Sequence, residues 1–207
     1  MCSTVDGDIN IETVYRAQEI HLEGEIDEAM ARDFEAEIRR LVFDCDQTLL
    51  LIVLDSEGGD LYAALRMVDC ILSLPKDVRV CTCVRSTAFS AAAMLFACGH
   101  ERYMSTHATV MIHAVRSNMG DADQPLPDLM SEARETQRLN DMMFEVIRKR
   151  TDVSKTQITA WKARNVDLYL GVSDALACGL ATHEGACFLE TSVLVDYQLR
   201  TSRKRKR

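Results

Sequence analysis

A chain of 207 residues, 47% apolar and 27% charged, has enough apolar material for one domain with a sizeable core. Its net charge of −8 conceals an asymmetry, because six of the last eight residues, Arg200 to Arg207, are Lys or Arg and the remainder is strongly acidic. So acidic a body excludes a general nucleic-acid surface, and no nucleic-acid partner is expected. The run Arg203-Lys204-Arg205-Lys206-Arg207 reads as a solvated end or an interaction arm.

Eight cysteines could suggest a disulfide scaffold, but Cys70, Cys81, Cys83 and Cys98 lie inside apolar runs, where Cys behaves as a small hydrophobe. Cys81-Thr82-Cys83 has the wrong separation for a CxxC redox or zinc motif, and no second cluster supplies metal ligands, so neither a metal nor a cofactor is expected. Met1 to Asn10 is polar and acidic, unlike a secretory leader, and no apolar run reaches the length of a membrane span. These features predict a cytoplasmic protein with reduced thiols and no membrane partner.

Taken in order, Met1 to Asn10 reads as a mobile end. Glu19 to Ile26 alternates polar and apolar residues and predicts a strand with one covered face. Asp27 can cap the following helix, whose Met30, Phe34, Ile38 and Leu41 recur at helical spacing. Thr48 to Leu54 suits a parallel strand buried on both faces, and it ends at Asp55-Ser56-Glu57-Gly58-Gly59-Asp60, where paired glycines let backbone N–H groups face a ligand. A helix is expected over Leu61 to Leu74, a strand over Val78 to Val84 and a helix over Ser90 to Cys98. Arg102 to Met104 and Thr109 to His113 are short strands. Ser117 to Pro127 reads as a loop and Asp128 to Arg150 as a long helix with Leu129, Ala133, Thr136, Leu139, Met143, Val146 and Ile147 near one face. Ser154 can cap a short helix containing Ile158 and Trp161, then Asp167 to Leu170 precedes a helix that stops at Gly179. Alternating strands and helices imply an α/β fold.

Ser90 lies where a β-rich run gives way to a helix of small apolar residues. Two readings fit it: an N-cap in front of a buried helix, or a nucleophile placed among unpaired backbone N–H groups. A hydroxyl nucleophile needs a base and the base an orienting acid. Among the five histidines, His113 alone ends an apolar strand, where open α/β sheets gather their ligand crevice. Asp167 precedes an apolar triplet, whereas Asp174 reads as a helix cap. Gly58-Gly59 could supply one oxyanion N–H and Ala91, directly after Ser90, the other.

At this point the chain resembles ClpP, the proteolytic subunit family of the Clp protease, within the ClpP/crotonase fold group. The resemblance covers about Arg16 to Ala181 and rests on six segments in order. Leu22-Glu23-Gly24-Glu25-Ile26 resembles the family's first strand and turn, and Asp55 to Asp60 its Ser-Pro-Gly-Gly segment. Ala88 to Ala93 resembles its Ala-Ala-Ser motif, and Met111-Ile112-His113 its Met-Ile-His. Asn165 to Leu170 resembles its Arg-Asp-x-Phe-Met/Leu segment, and Ala175 to Leu180 its Glu-Ala-x-x-Tyr-Gly-Leu run. Glu57 stands where the family has proline, Ala91 and Ala92 replace a Met-Gly or Met-Ala pair, and the glycine-rich segment after the histidine is reduced to Met119-Gly120-Asp121.

The resemblance implies a fold of repeated ββα units with a protruding handle helix. It implies Ser90 as nucleophile, His113 as base, Asp167 as orienting acid, and Gly59 and Ala91 as oxyanion donors. It further implies self-assembly into a heptameric ring or a tetradecamer around a proteolytic chamber, substrates that are proteins or peptides, and an AAA+ ATPase partner; the chain has no GxxxxGK[ST] motif of its own. The expected organisation is an N-terminal segment over 1–15, a ClpP-like domain over 16–190 with the handle at about 114–150, and a C-terminal segment with the basic tail over 191–207. Two other readings are a catalytically inactive ring or scaffold subunit and a crotonase-type acyl-CoA enzyme. The serine, histidine and aspartate in order argue against the crotonase reading.

Overall fold

The run Leu49 to Leu54 forms an internal strand of the sheet, and both of its faces are buried. Leu50, Ile52 and Leu54 enter the main core, while Leu49, Leu51 and Val53 join Cys81, Cys83 and Tyr103 in a second apolar cluster. A strand without a polar face has to be covered on both sides, as its uninterrupted apolar sequence predicts. The computed structural model describes residues 19–116, 125–164 and 166–185. The expected N-terminal end, most of the 117–127 loop and the basic tail lie outside the described residues.

Strands β1 (Glu19–Ile26), β2 (Leu49–Gly59), β3 (Arg79–Phe89), β4 (Glu101–Met104), β5 (Thr109–Ile112), β6 (Leu168–Gly171) and β7 (His183–Glu184) form one sheet in the order β1-β2-β3-β4-β7. Every pair on that path is parallel. The sheet forks at β3. Its first half, Cys81 to Val84, pairs with β4, and its second half, Thr87 to Phe89, pairs with β5, which in turn pairs antiparallel with β6. Between the halves the register of β2 against β3 shifts, and Asp55 accepts hydrogen bonds from Thr87 N–H (3.2 Å) and Thr87 Oγ1 (3.1 Å) across the irregularity.

Helices α1 (Glu28–Arg39), α2 (Leu61–Leu72), α3 (Ala91–Ala97), α4 (Leu126–Arg150), α5 (Lys155–Ala163) and α6 (Val172–Ala177) complete the described fold. α1 runs on into one π-helical turn, Arg40–Asp44. Asp27, Asp60 and Ser154 accept from Met30 N–H (2.7 Å), Ala63 N–H (2.7 Å) and Gln157 N–H (3.2 Å), so each start is fixed by a side-chain cap. All seven residues of α3 are buried, and it is the central helix of the core.

β1 and the caps Asp27 and Ser154 stand where the sequence predicts them. β2 and β3 extend further, to Gly59 and Phe89, because each finds a partner strand beyond its apolar run. α4 starts at Leu126, ahead of the expected Asp128, with Pro125 and Pro127 at its entrance, where a missing N–H costs no helical bond. Its expected apolar face is buried only in the second half, at Leu139, Met143, Phe144 and Ile147, while Ala133 is exposed. The first half stands off the body with Leu126 (69%) and Met130 (49%) open to solvent. A connection returns from that half: Tyr62 Oη at the start of α2 donates to Glu135, which Arg138 also holds (2.6 Å).

A buried arginine closes the C-terminal side. Arg102 on β4 is 4% exposed and donates to Leu180 O (2.6 Å), Gly99 O (3.2 Å), Gly179 O (3.2 Å) and Arg150 O (3.3 Å). It thereby satisfies carbonyls at the ends of α3, α4 and α6, which have no partner inside their helices. Burial lowers its pKa, opposed by Asp152 at 3.7 Å.

Replacing Arg102 with Met leaves Leu180 O and Gly99 O buried without this donor, while Gly179 O keeps Asp152 N–H (3.2 Å). It should cost at least about 2 kcal/mol in urea denaturation, since each unsatisfied buried group costs roughly 1–3 kcal/mol. A loss below about 1 kcal/mol would show that the carbonyls find other donors. The contact of Glu135 with Tyr62 and Arg138 responds to pH. Hydrogen bonds from Arg138 first, then Tyr62, hold Glu135 down to about 2 from its ordinary 4.5. A depressed carboxylate stabilises above its unfolded pKa and loses that contribution as pH falls toward the folded value. The thermal-stability difference between the parent and Glu135→Gln should be constant near neutral pH and vanish toward about pH 2. A difference independent of pH would remove the ionic part of the contact.

Candidate active site

Three strand ends meet on one side of the sheet. β3 ends at Phe89, β5 ends at Ile112 and β6 begins at Leu168, so Ser90, His113 and Asp167 are each one residue beyond an end. Phe89 pairs with Met111, and Ser90 N–H donates to Met111 O (2.8 Å), carrying the β3–β5 ladder one residue further. Ile112 pairs with Leu168, and the antiparallel register puts His113 opposite Asp167. The three residues singled out in the sequence are therefore brought to one place by backbone pairing alone.

Ser90 occupies the N-cap position of α3 without capping it. Its backbone is at φ 55° and ψ −117°, and among the described residues its side chain makes no cap hydrogen bond. A serine with positive φ is strained by roughly 1–3 kcal/mol and persists only where the surroundings enforce it. The enforcing neighbour is the end of β2. A Cβ on Gly58 would lie 2.7 Å from Phe89 O, 2.9 Å from Ser90 Cβ and 3.2 Å from Ala91 N, so only glycine lets the two backbones approach this closely. Gly59 is as confined on its other side, where a Cβ would meet Ile26 O at 2.2 Å.

The glycine segment is held by Ser56, whose buried hydroxyl donates to Gly24 O (2.5 Å) and accepts from Gly58 N–H (3.1 Å). Asp60 N–H donates to Ile26 O (2.8 Å). Of three consecutive amides, the outer two are committed and Gly59 lies between them. Ala91 N–H is the first amide of α3, facing the same crossing.

The imidazole and the carboxylate are not hydrogen-bonded to each other in this arrangement. His113 Nδ1 is buried and has no partner among the described residues. Asp167 accepts from Arg116 Nη2, three residues after His113. The segment between them is anchored by α4, where Asn140 Oδ1 accepts from Val115 N–H (3.2 Å). The other histidines lie in settings of their own: His21 between Glu19 (2.9 Å) and Glu23 (3.5 Å), His100 against the Val80 backbone, His107 exposed in the turn before β5, and His183 stacked on Tyr103 at 4.5 Å. Asp174 is in the first turn of α6.

Ser56 and Arg116 were not singled out in the sequence. Ser56 was legible only as part of the glycine segment. Arg116 carries no motif, and its contact exists because β5 and β6 pair antiparallel. Phe89 stands where the related motif has alanine, and it packs edge-on against Tyr169 at 5.9 Å, with Met111 between them in register.

The family model described as Clp protease matches residues 6–183. An ATP-dependent Clp protease proteolytic subunit of Borreliella afzelii is 28% identical over 167 residues, covering 80% of this chain and 81% of that protein. One of Bacteroides thetaiotaomicron is 29% identical over 166 residues, covering 78% and 71%. Among solved structures, a ClpP1 mutant from Listeria monocytogenes superposes with a TM-score of 0.68 at 20% identity, covering 86% of this chain and 96% of that one.

Gly58→Ala should cost roughly 1–3 kcal/mol, from its φ of +94° and the collision with the Ser90 turn, as read by urea denaturation. A variant as stable as the parent would show that β2 and the Ser90 turn separate freely.

Proposed function

The chain belongs to the Clp protease family, and we propose that it is a serine endopeptidase in which Ser90, His113 and Asp167 form the catalytic triad. The observation that carries this reading is the shared register that lines up the three residues at one sheet end, with Ser90 on a strained turn against Gly58.

In this mechanism His113 takes the proton of Ser90 Oγ as the oxygen attacks the carbonyl carbon of a peptide bond. The negative charge that develops on the carbonyl oxygen is held by Gly59 N–H and Ala91 N–H. Collapse of the tetrahedral intermediate breaks the C–N bond, and the imidazolium returns its proton to the leaving amine. Water then attacks the Ser90 ester with His113 again as base, which frees the acid product and restores the serine. Asp167 orients the imidazole and balances its charge. The positive φ of Ser90 supports this role, since the residue stands at the helix start without its hydroxyl being committed to a cap hydrogen bond.

The working unit is a ring, heptameric or doubled to a tetradecamer, whose enclosed chamber restricts cleavage to chains threaded into it. The projecting half of α4, with Leu126 and Met130 exposed, supports contacts between subunits. An AAA+ ATPase partner would supply the unfolding work. Among the described residues no helix is long and apolar enough to cross a membrane.

A fluorophosphonate probe should label the parent protein, not Ser90→Ala, and His113→Ala more slowly by about a thousandfold or more. Absence of labelling in a well-folded oligomer would favour the inactive ring subunit. Native mass spectrometry should give a heptamer or a tetradecamer, and a stable monomer would overturn the chamber.

A further inference from the structure

We propose that Arg116 is a positioning residue that competes with His113 for the Asp167 carboxylate and so sets how much of the triad is assembled. The inference rests on the triad reading given above. Register places His113 and Asp167 opposite one another, which is the relation the triad needs. Yet His113 Nδ1 is buried with no partner among the described residues, and Arg116 Nη2 donates to Asp167 Oδ1 in its place. Two donors on one short segment, the imidazole and the guanidinium three residues on, thus face one carboxylate.

The segment is held for this competition. The ladder between β5 and β6 fixes its start, and Asn140 on α4 holds Val115 N–H (3.2 Å), so Arg116 leaves the backbone at a set point beside the start of β6. The two possible bonds differ in setting. The guanidinium is 69% exposed, so its ion pair is weakened by water and by salt. The imidazole nitrogen is buried, so a bond from it to the carboxylate would be better insulated from the solvent. Exchange between a solvent-screened pair and an insulated bond is one that a local change can bias toward either arrangement. The sequence accords with this: Val166 occupies the position before Asp167 where the related segment has arginine, and the guanidinium at this carboxylate comes from Arg116.

The test uses the full-length protein with Arg116→Ala, Arg116→Gln and Arg116→Lys. At about 50 mM salt, kcat on a short fluorogenic peptide and the rate of fluorophosphonate labelling should rise roughly threefold to fivefold in the Ala and Gln variants, with KM unchanged. The Lys variant should fall between them and the parent. Raising salt to about 500 mM should bring the parent up toward the Ala variant, which itself changes little. A rate at or below the parent's in the Ala and Gln variants, or a change confined to KM, overturns the proposal; the latter would make Arg116 a substrate contact. Ser90→Ala introduced into Arg116→Ala should abolish labelling, and if labelling survives it is the triad reading that fails. A crystal structure of Arg116→Ala decides the matter independently of activity. The Asp167 carboxylate should lie within about 3 Å of His113 Nδ1, and a carboxylate still turned away overturns the proposal.

Discussion

The constraint on which the candidate site depends is the passage of the end of β2 against the turn at Ser90. No Cβ fits at Gly58 without entering Phe89 O and Ser90 itself, and Ser90 responds with a positive φ that a serine adopts only under compulsion. Two strands that are ordinary parallel neighbours over Leu49 to Leu54 therefore come into close backbone contact over their last residues, at the candidate site. The Ser56 hydroxyl, bridging Gly24 O and Gly58 N–H, keeps the crossing in place from the β1 side. The buried small residues of α3 complete it, since Ala91, Ala92 and Ala93 let the helix start directly beneath the turn.

The fork in β3 is what assembles the remaining chemistry. Had β4 paired along the whole of β3, neither β5 nor β6 would reach Ser90. By releasing β4 after Val84 and accepting β5 from Thr87 onward, β3 brings His113 to its end, and β6 then brings Asp167. The short strands of this branch have little core of their own. The carbonyls gathered by Arg102 tie the ends of α3, α4 and α6 to β4, so the branch stands on a braced base.

Legibility follows the range of the forces involved. β1 is read from the alternation Glu19 to Ile26, and the caps at Asp27 and Ser154 from local chemistry, because both depend on residues a few positions apart. The ends of β2 and β3 were underestimated, since Asp55 to Gly59 and Arg85 to Phe89 are strand only by virtue of partners elsewhere in the chain. Ala133 has the spacing of a core residue and is exposed, because α4 runs out beyond the body it packs on. At Ser90 the sequence left an N-cap and a nucleophile both open. The backbone decides for the turn, through a contact with a residue 32 positions earlier.

By itself the sequence determined the α/β alternation, the doubly buried strand and the glycine pair, and it singled out Ser90, His113 and Asp167 as candidates, because period, burial and residue type are properties of short stretches. The tertiary structure alone decided that these groups share one sheet end, that Ser90 is strained against Gly58, and that Arg116 rather than His113 holds Asp167. Those facts depend on register and on close approach between strands far apart in the chain, and no local pattern encodes a distance between them.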